Sequence, residues 1–343
     1  MHQTCNRKTR LTPILIPILL NAAGSTGLRT TPTHIAAAVR IGTGSTSGLY
    51  YPTGGIICQL FDKADLSAPR QCVAEVTTGS GSNIDAIRNG SANFGIVQEN
   101  LLADAYSGKT GYASDGPHVE LRALFSLFTE QFTLVTRRED GITGLGDLKG
   151  KRVNIGVRGS GQYATVKVLL DNAGWNRLSF EPVSDFTAAE HSRALCAGDI
   201  DAFVYIVGHP NASVTEADLL CGVSFIDVDE EYLTRLLDQF PYFVATRIPA
   251  GLYRDGAGDI RTFGIRAALV THEDTPEETV YALTRSVFEN LDQLRGRHPV
   301  LKGLEVRSMI DENVAPLHPG ALQYYTEQGW ISRDTAPTGQ PGV

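Results

Sequence analysis

The segment RIGTGSTSGLYYPTGG, residues 40–55, follows an apolar run, passes through small residues and leads into apolar residues at helical spacing. Three further segments follow the same plan: EVTTGSGSN at 75–83, IGVRGSGQYAT at 155–165 and IVGHPNAS at 206–213. We call these four segments the Gly/Ser junctions. A strand that ends in small residues and leads into a helix leaves free backbone N–H groups at the helix N-terminus, where anions bind. The junctions therefore predict strand–helix units that gather around an anion.

Outward from the junctions, strands alternate with helices, which predicts an α/β fold with mostly parallel open sheets. The pattern restarts near residue 153, and strand-like runs without a junction lie at 132–136 and 263–270, with a further strand expected at Leu121–Leu127. We interpret the two runs as crossovers between two lobes. Residues 39–134 plus 266–333 form lobe 1, 135–265 form lobe 2, and 334–343 are a tail. Ligands of open α/β sheets bind at the carboxyl ends of strands, so the junctions should meet in a cleft between the lobes.

The bulk numbers restrict the class of partner. A chain of 343 residues can form two domains, and its net charge of −8 disfavours nucleic acid and anionic membranes as partners. If the ligand is an anion, its attraction must come from local groups.

The amino-terminal residues have the features of a secretory signal peptide. Arg7, Lys8 and Arg10 precede the apolar stretch Leu11–Leu20, and small residues follow at 22–24. The stretch is shorter than the ~20 residues that a membrane-spanning helix needs. Cleavage near residue 24 and cleavage as late as 38 both remain open, and a disordered tail is the alternative interpretation. The signal predicts export to the periplasm.

Four cysteines follow the leader, an even number that fits an oxidising compartment. Their positions in the sequence favour two local disulfides, Cys58–Cys72 and Cys196–Cys221, one in each lobe. Metal binding is the competing interpretation, but neither a CxxC motif nor a zinc-type Cys/His spacing occurs. We therefore predict neither a metal nor a cofactor.

Catalytic motifs are missing from the sequence. The glycines at 42, 44 and 48 miss the dinucleotide fingerprint by one residue, and the sequence has no phosphate loop, HExxH motif or GxSxG nucleophile elbow. The serines of the junctions have no predictable base beside them, which favours binding over catalysis. We predict that the protein is not an enzyme.

Six segments together resemble one known family: IGTGSTSGLYYPTGG, EVTTGSGSNIDAIRNGSANFGIVQEN, GLGDLKGKRVNIGVRGSGQYAT, VGHPNAS, IPAGLY and APLHPGALQYYTEQG. In this order, across residues 39–330, they resemble the TAXI family, the extracytoplasmic solute receptors of one branch of the TRAP transporters. The resemblance implies a two-lobed periplasmic-binding-protein fold. It also implies capture of a small organic anion, a dicarboxylate or an amino acid such as glutamate or 2-oxoglutarate, and delivery to the TRAP membrane permease subunits. Glu99 and Arg158 depart from the commoner family residues, so they bear on the identity of the ligand.

Two other classes remain open, namely a periplasmic enzyme or sensor input domain on the same fold, and a receptor for an ABC importer of another anion. We expect a monomer that binds no nucleic acid.

The predicted binding site consists mainly of neutral donors. Hydroxyl and backbone N–H groups at helix N-termini can hold a carboxylate without a buried counter-cation, and glycines let the backbone approach the ligand. Tyr50 and Gln98 could equally be a core aromatic and a satisfied buried amide, and Arg158, a possible ligand-binding residue, could be a solvated loop arginine. The predicted ligand-binding residues are Gly44, Ser45, Thr46, Tyr50, Thr78, Ser80, Asn83, Gln98, Ser160, Gly161, Gln162 and Gly208.

Overall fold

The structure, a computed structural model, describes residues 38–332 apart from 65–70, 173–179, 184, 255–257 and 312. The predicted signal peptide at 1–24 and the predicted tail at 334–343 lie outside the described residues. Within the described part of the chain, no helix is long and apolar enough to cross a membrane.

The amino-terminal part consists of strand–helix units, as the Gly/Ser junctions predict. Each strand is short, and a loop of small residues separates β1 from α1 and β2 from α2. The elements are β1 (Val39–Gly42), α1 (Tyr50–Lys63), β2 (Cys72–Glu75), α2 (Ser80–Arg88), β3 (Phe94–Gln98) and α3 (Glu99–Ser107). We call these six elements the first half.

The next strand, β4 (Leu121–Arg137), is a single 17-residue strand, where the sequence predicted two strands separated by a loop. The expected break, residues 128–131, is part of the strand because it pairs with a later strand and because Phe128, Glu130 and Phe132 are all buried on alternate positions.

A second set of strand–helix units follows β4. Its elements are β5 (Arg152–Asn154), α4 (Gly161–Asn172), β6 (Glu181–Val183), α5 (His191–Ala197), β7 (Ala202–Val207) and α6 (Ala212–Cys221). We call these six elements the second half. The remaining elements are β8 (Val223–Phe225), α7 (Glu230–Gln239), β9 (Phe243–Ile248), β10 (Ile260–His272), α8 (Glu277–Phe288), α9 (Leu291–Arg295), α10 (Val306–Asp311) and α11 (Pro319–Glu327).

The described strands form one ten-stranded sheet with the main order β2-β1-β3-β10-β4-β7-β5-β6. Three parallel strands lie at each end, and the long antiparallel strands β10 and β4 join the two ends. The runs interpreted as crossovers, 132–136 and 263–270, are parts of these two strands. They therefore connect the halves by hydrogen-bonded sheet.

Both cysteine pairs form disulfides in the structure. Cys58 joins α1 to β2 with an S–S distance of 2.01 Å, and Cys196 joins α5 to the end of α6 at Cys221 with an S–S distance of 2.11 Å. Each bridge stays within one half, as predicted.

Candidate functional site

A cavity of about 320 Å³ lies where the Gly/Ser junctions of the two halves face each other. From the first half and β4 it is lined by Gly44, Ser45, Thr46, Gly48, Leu49, Tyr50, Val76, Thr77, Thr78, Gly79, Ser80, Gln98 and Glu130. From the second half and its loops it is lined by Gly156, Val157, Ser160, Gly161, Gln162, Thr187, Ala188, Ala189, Tyr205, Ile206 and Val207. The junctions thus meet at one place, as the positions of strand ends predicted.

The N-termini of α2 and α4 both reach this cavity. Gly79 directly precedes α2 and has φ 122°, a conformation that favours glycine, and Ser80 and Gly161 are the first residues of the two helices. The aligned peptide dipoles and free N–H groups of a helix N-terminus attract negative charge. This part of the cavity is suited to a carboxylate.

The hydroxyl and amide groups of the lining are held in place by their neighbours. Ser80 Oγ accepts a hydrogen bond from the Gln98 backbone N–H at 3.0 Å. Ser160 Oγ donates to Val157 O at 2.7 Å and accepts from the Tyr163 N–H at 3.0 Å. These contacts fix the shape of the cavity wall.

The sequence interpretation missed a buried carboxyl group in the cavity wall. Glu130, on β4, is 3% exposed, and its Oε2 accepts hydrogen bonds from Tyr50 Oη at 2.7 Å and from Gln98 Nε2 at 3.1 Å. Burial raises its pKa to about 7, although the bonds from Tyr50 and Gln98 act in the opposite direction. Tyr205, another polar lining residue that the sequence interpretation missed, has a raised pKa because it is buried and lies near Glu130.

A signal for Glu130 was present in the sequence. In the stretch FSLFTEQFTL, an acidic residue stands at a position whose neighbours two residues away on either side are Phe128 and Phe132. Because strand residues two apart share a face, this places a carboxyl group on a buried face. Buried acids are rare without a partner or a function, so such a position is a candidate site residue.

Backbone and side-chain contacts join the halves around the cavity. The Ser82 N–H donates to Gly159 O at 3.2 Å, and Asn211 Nδ2 donates to Ser47 O at 3.0 Å. Thr165 Oγ1, on α4, donates to Gln98 Oε1 at 3.2 Å. The two halves are therefore in direct contact beside the cavity.

Glycines permit this close approach. A Cβ on Gly81 would lie 2.9 Å from Gly159 O, and a Cβ on Gly161 would lie within 3.0 Å of both Gln98 and Ser80. Side chains at these positions would separate the halves.

Three predicted residues do not line the cavity. Asn83 is buried beside it, where its Nδ2 donates to Thr43 O and Ile96 O at 2.6 and 2.8 Å and its Oδ1 accepts from Thr77. Gly208 packs against Leu49 and Val300, whose atoms a Cβ there would meet at 2.6 and 2.7 Å. The guanidinium of Arg158 lies 5.4 Å from the ring centroid of Tyr163.

The other predicted residues do line the cavity, and their contact with a ligand stays a prediction. They are Gly44, Ser45, Thr46, Tyr50, Thr78, Ser80, Gln98, Ser160, Gly161 and Gln162. Glu99 is buried away from the lining and pairs with Arg266 at 2.8 Å.

Comparison with solved structures identifies the fold class. The chain is similar to MatC from Rhodopseudomonas palustris with bound malate, with a TM-score of 0.52 and 17% identity over 77% of this chain and 88% of that chain. It is also similar to a protein of Bordetella bronchiseptica RB50, with a TM-score of 0.50 and 17% identity over 88% of this chain and 91% of that chain. The fold is a two-lobed α/β fold of the periplasmic-binding-protein class.

Comparison with protein families identifies the family of this chain. The model of the NMT1-like family matches residues 41–329, which include every strand and helix from β2 to α11. The chain belongs to the NMT1-like family.

Proposed function

We propose that this protein is a solute receptor that captures a small organic anion in the cavity between its halves. The observation that carries the proposal is the cavity of about 320 Å³, which the N-termini of two helices reach from opposite halves. Hydroxyl and backbone donors of the lining would hold a carboxylate by charge-assisted hydrogen bonds. MatC, similar in fold, carries malate, a dicarboxylate.

The ligand class we propose is a dicarboxylate or an amino acid, such as 2-oxoglutarate or glutamate. The resemblance of residues 39–330 to the TAXI receptors supports a TRAP-type permease as the partner of the loaded receptor. The basic and apolar leader and the two disulfides support action in the periplasm. We propose that the receptor acts there as a monomer.

A thermal-shift panel tests capture directly. Malate, 2-oxoglutarate, glutamate, aspartate and arginine are each added in large excess to the purified protein. A ligand that binds only the folded state at 100 times its Kd adds about 2.7 kcal/mol of stability, so at least one carboxylate of the panel should raise the Tm by several degrees.

Matched glycine variants connect the shift with the cavity. In Gly161→Leu the new side chain would occupy the space beside Gln98 and Ser80, and the shift should vanish. In Gly146→Leu, where a Cβ meets no atom within 4 Å, the shift should persist. Equal shifts in wild type and Gly161→Leu, or no shift with any compound, would contradict the proposal.

Membrane delivery needs a separate measurement. Vesicles that contain a TRAP-type permease from the same organism should accumulate the panel compound only when the loaded receptor is added. Uptake by a permease that consumes ATP would instead assign the receptor to an ABC importer.

A further inference from the structure

The cavity that we assign to an anion contains an acid and lacks a cation among its lining residues. The ionisable side chains of the lining are Tyr50, Glu130 and Tyr205. An ionised carboxylate in this wall would repel an anionic ligand in surroundings of low dielectric constant, where like charges interact strongly.

The groups that face Glu130 come from each element packed against it. Tyr50 of α1 and Gln98 of β3 donate to its Oε2, and Tyr205 of β7 is the nearby titratable group from the second half. On the paired strand β10, Ile265 stands opposite Glu130, and the neighbouring Arg266 binds Glu99. In the described residues, no salt bridge is formed by Glu130.

We propose that Glu130 takes up one proton when the cavity binds an anionic ligand, and that its carboxyl group then serves as a hydrogen-bond donor to that ligand. The proposal rests on the function proposed above. A neutral carboxyl group adds a donor to the wall, whereas a carboxylate offers acceptors only. The proton comes from the solvent, so each anion enters with one added positive charge.

The pKa of Glu130 supports the uptake of a proton on binding. Burial raises the pKa of Glu130 to about 7, so a neutral carboxyl group is accessible near physiological pH at small cost. An anion in the cavity would raise the pKa further, because it disfavours the ionised form.

The sign of the pH dependence follows from this linkage. Below the pKa of the free protein, Glu130 is already neutral and the Kd should be constant. Above it, each binding event must add a proton, so the Kd should rise about tenfold per pH unit between roughly pH 7.5 and 8.5.

Calorimetric titration with 2-oxoglutarate and with L-glutamate, from pH 6.0 to 8.5, tests the proposal. These probes share two carboxylates and differ in the ammonium group of glutamate. At pH 8, titrations in buffers of different ionisation enthalpy should show uptake of close to one proton for each molecule bound. Glu130→Gln, a neutral isostere, should bind with the affinity of the wild type at pH 6 and lose both the pH dependence and the proton uptake.

Opposite results would overturn the proposal. If Glu130 acts as a carboxylate toward the ammonium group, glutamate should bind more weakly as the pH falls below 7, and Glu130→Gln should not bind it. Proton uptake near zero at pH 8 would also overturn it.

Two controls separate other causes. Glu278→Gln, an exposed change on α8, should behave as wild type, and thermal melting should show that Glu130→Gln is folded. If neither probe binds the wild type at any pH, this inference fails; if other carboxylates of the thermal-shift panel still bind, the proposed function survives.

Discussion

At the scale of single residues, the loop IGVRGSGQ contains two polar side chains in different surroundings. The hydroxyl of Ser160 lies in the cavity wall, just before α4, where it also bonds to Val157 and Tyr163. Arg158, two residues earlier, is exposed, and its guanidinium lies over the ring of Tyr163. We therefore expect the two side chains to differ in their effect on ligand binding.

Ser160→Ala should weaken the binding of the strongest compound of the panel, and Arg158→Ala should leave it within about twofold of wild type. Loss of a hydrogen bond to a charged group costs about 1.5–3 kcal/mol, which corresponds to roughly tenfold to a hundredfold in Kd. Calorimetric titration of both variants provides the measurement. If Arg158→Ala abolishes binding while Ser160→Ala has no effect, the site is an arginine clamp.

The predicted residues that line the cavity lie at strand ends. Small residues between a strand and a helix have few other uses, so Ser45, Ser80 and Gly161 could be assigned to the cavity from pattern alone. The pattern around Glu130 predicts a buried carboxyl group, but its place in the cavity wall could not be predicted, because that place depends on the pairing of β4 with β10 and on the contact with Tyr50. Asn83 was assigned to the ligand because sequence cannot show that three neighbours already satisfy its amide.

At the scale of elements, α2 approaches the loop before α4 through a glycine. Gly81 lies in the first turn of α2, and the nearest atoms to a Cβ there all belong to Gly159 of the opposite half. The adjacent Ser82 N–H donates to Gly159 O. A methyl group at position 81 would therefore disturb the contact between the halves while leaving the first half intact.

Gly81→Ala should weaken ligand binding by at least about tenfold, because the 2.9 Å contact with Gly159 O must be relieved before the cavity can close. The Tm without ligand should not fall, since alanine in a helix is more favourable than glycine by about 0.5–1 kcal/mol. Titration and thermal melting measure the two effects. Gly55→Ala in α1, where a Cβ meets no atom within 4 Å, is the matched control and should bind as wild type. Unchanged affinity in Gly81→Ala would mean that ligand binding does not need this contact.

The alternation of strands and helices could be predicted because each strand–helix unit is made of residues that are neighbours in the sequence. Strand length could not, because the extent of β4 depends on partners far along the chain: residues 121–131 pair with β10 and residues 131–136 pair with β7. Which distant strands supply those hydrogen bonds cannot be predicted from the local sequence pattern.

At the scale of the whole molecule, β4 and β10 lie between the first half and the second half, and these two strands pair with each other. Register shifts interrupt that pairing between Arg266 and Ala268 and between Leu269 and Val270. Bulges bend strands, so we propose that closure bends these two strands, with the lobe boundaries near 134 and 265 that the sequence predicts.

A saturating ligand should therefore make the protein more compact. Ligand that binds the closed form shifts the balance away from an open form, which has the larger radius of gyration. Small-angle scattering with and without the strongest panel compound measures this change, and Gly81→Ala should stay in the larger form at ligand concentrations that close the wild type. Identical scattering curves for wild type with and without ligand would exclude hinge closure.

The sheet order also has a consequence for biogenesis. The second half pairs through β7 with β4, which precedes it in the chain, whereas β3 of the first half pairs with the much later β10, and α1 packs against α8. A nascent chain that emerges amino end first thus exposes one edge of β3 and one face of α1 until the carboxyl-terminal segments arrive. An uncovered strand edge can pair with the strands of other chains. We therefore expect a chaperone to bind the incomplete first half in preference to other parts of this molecule.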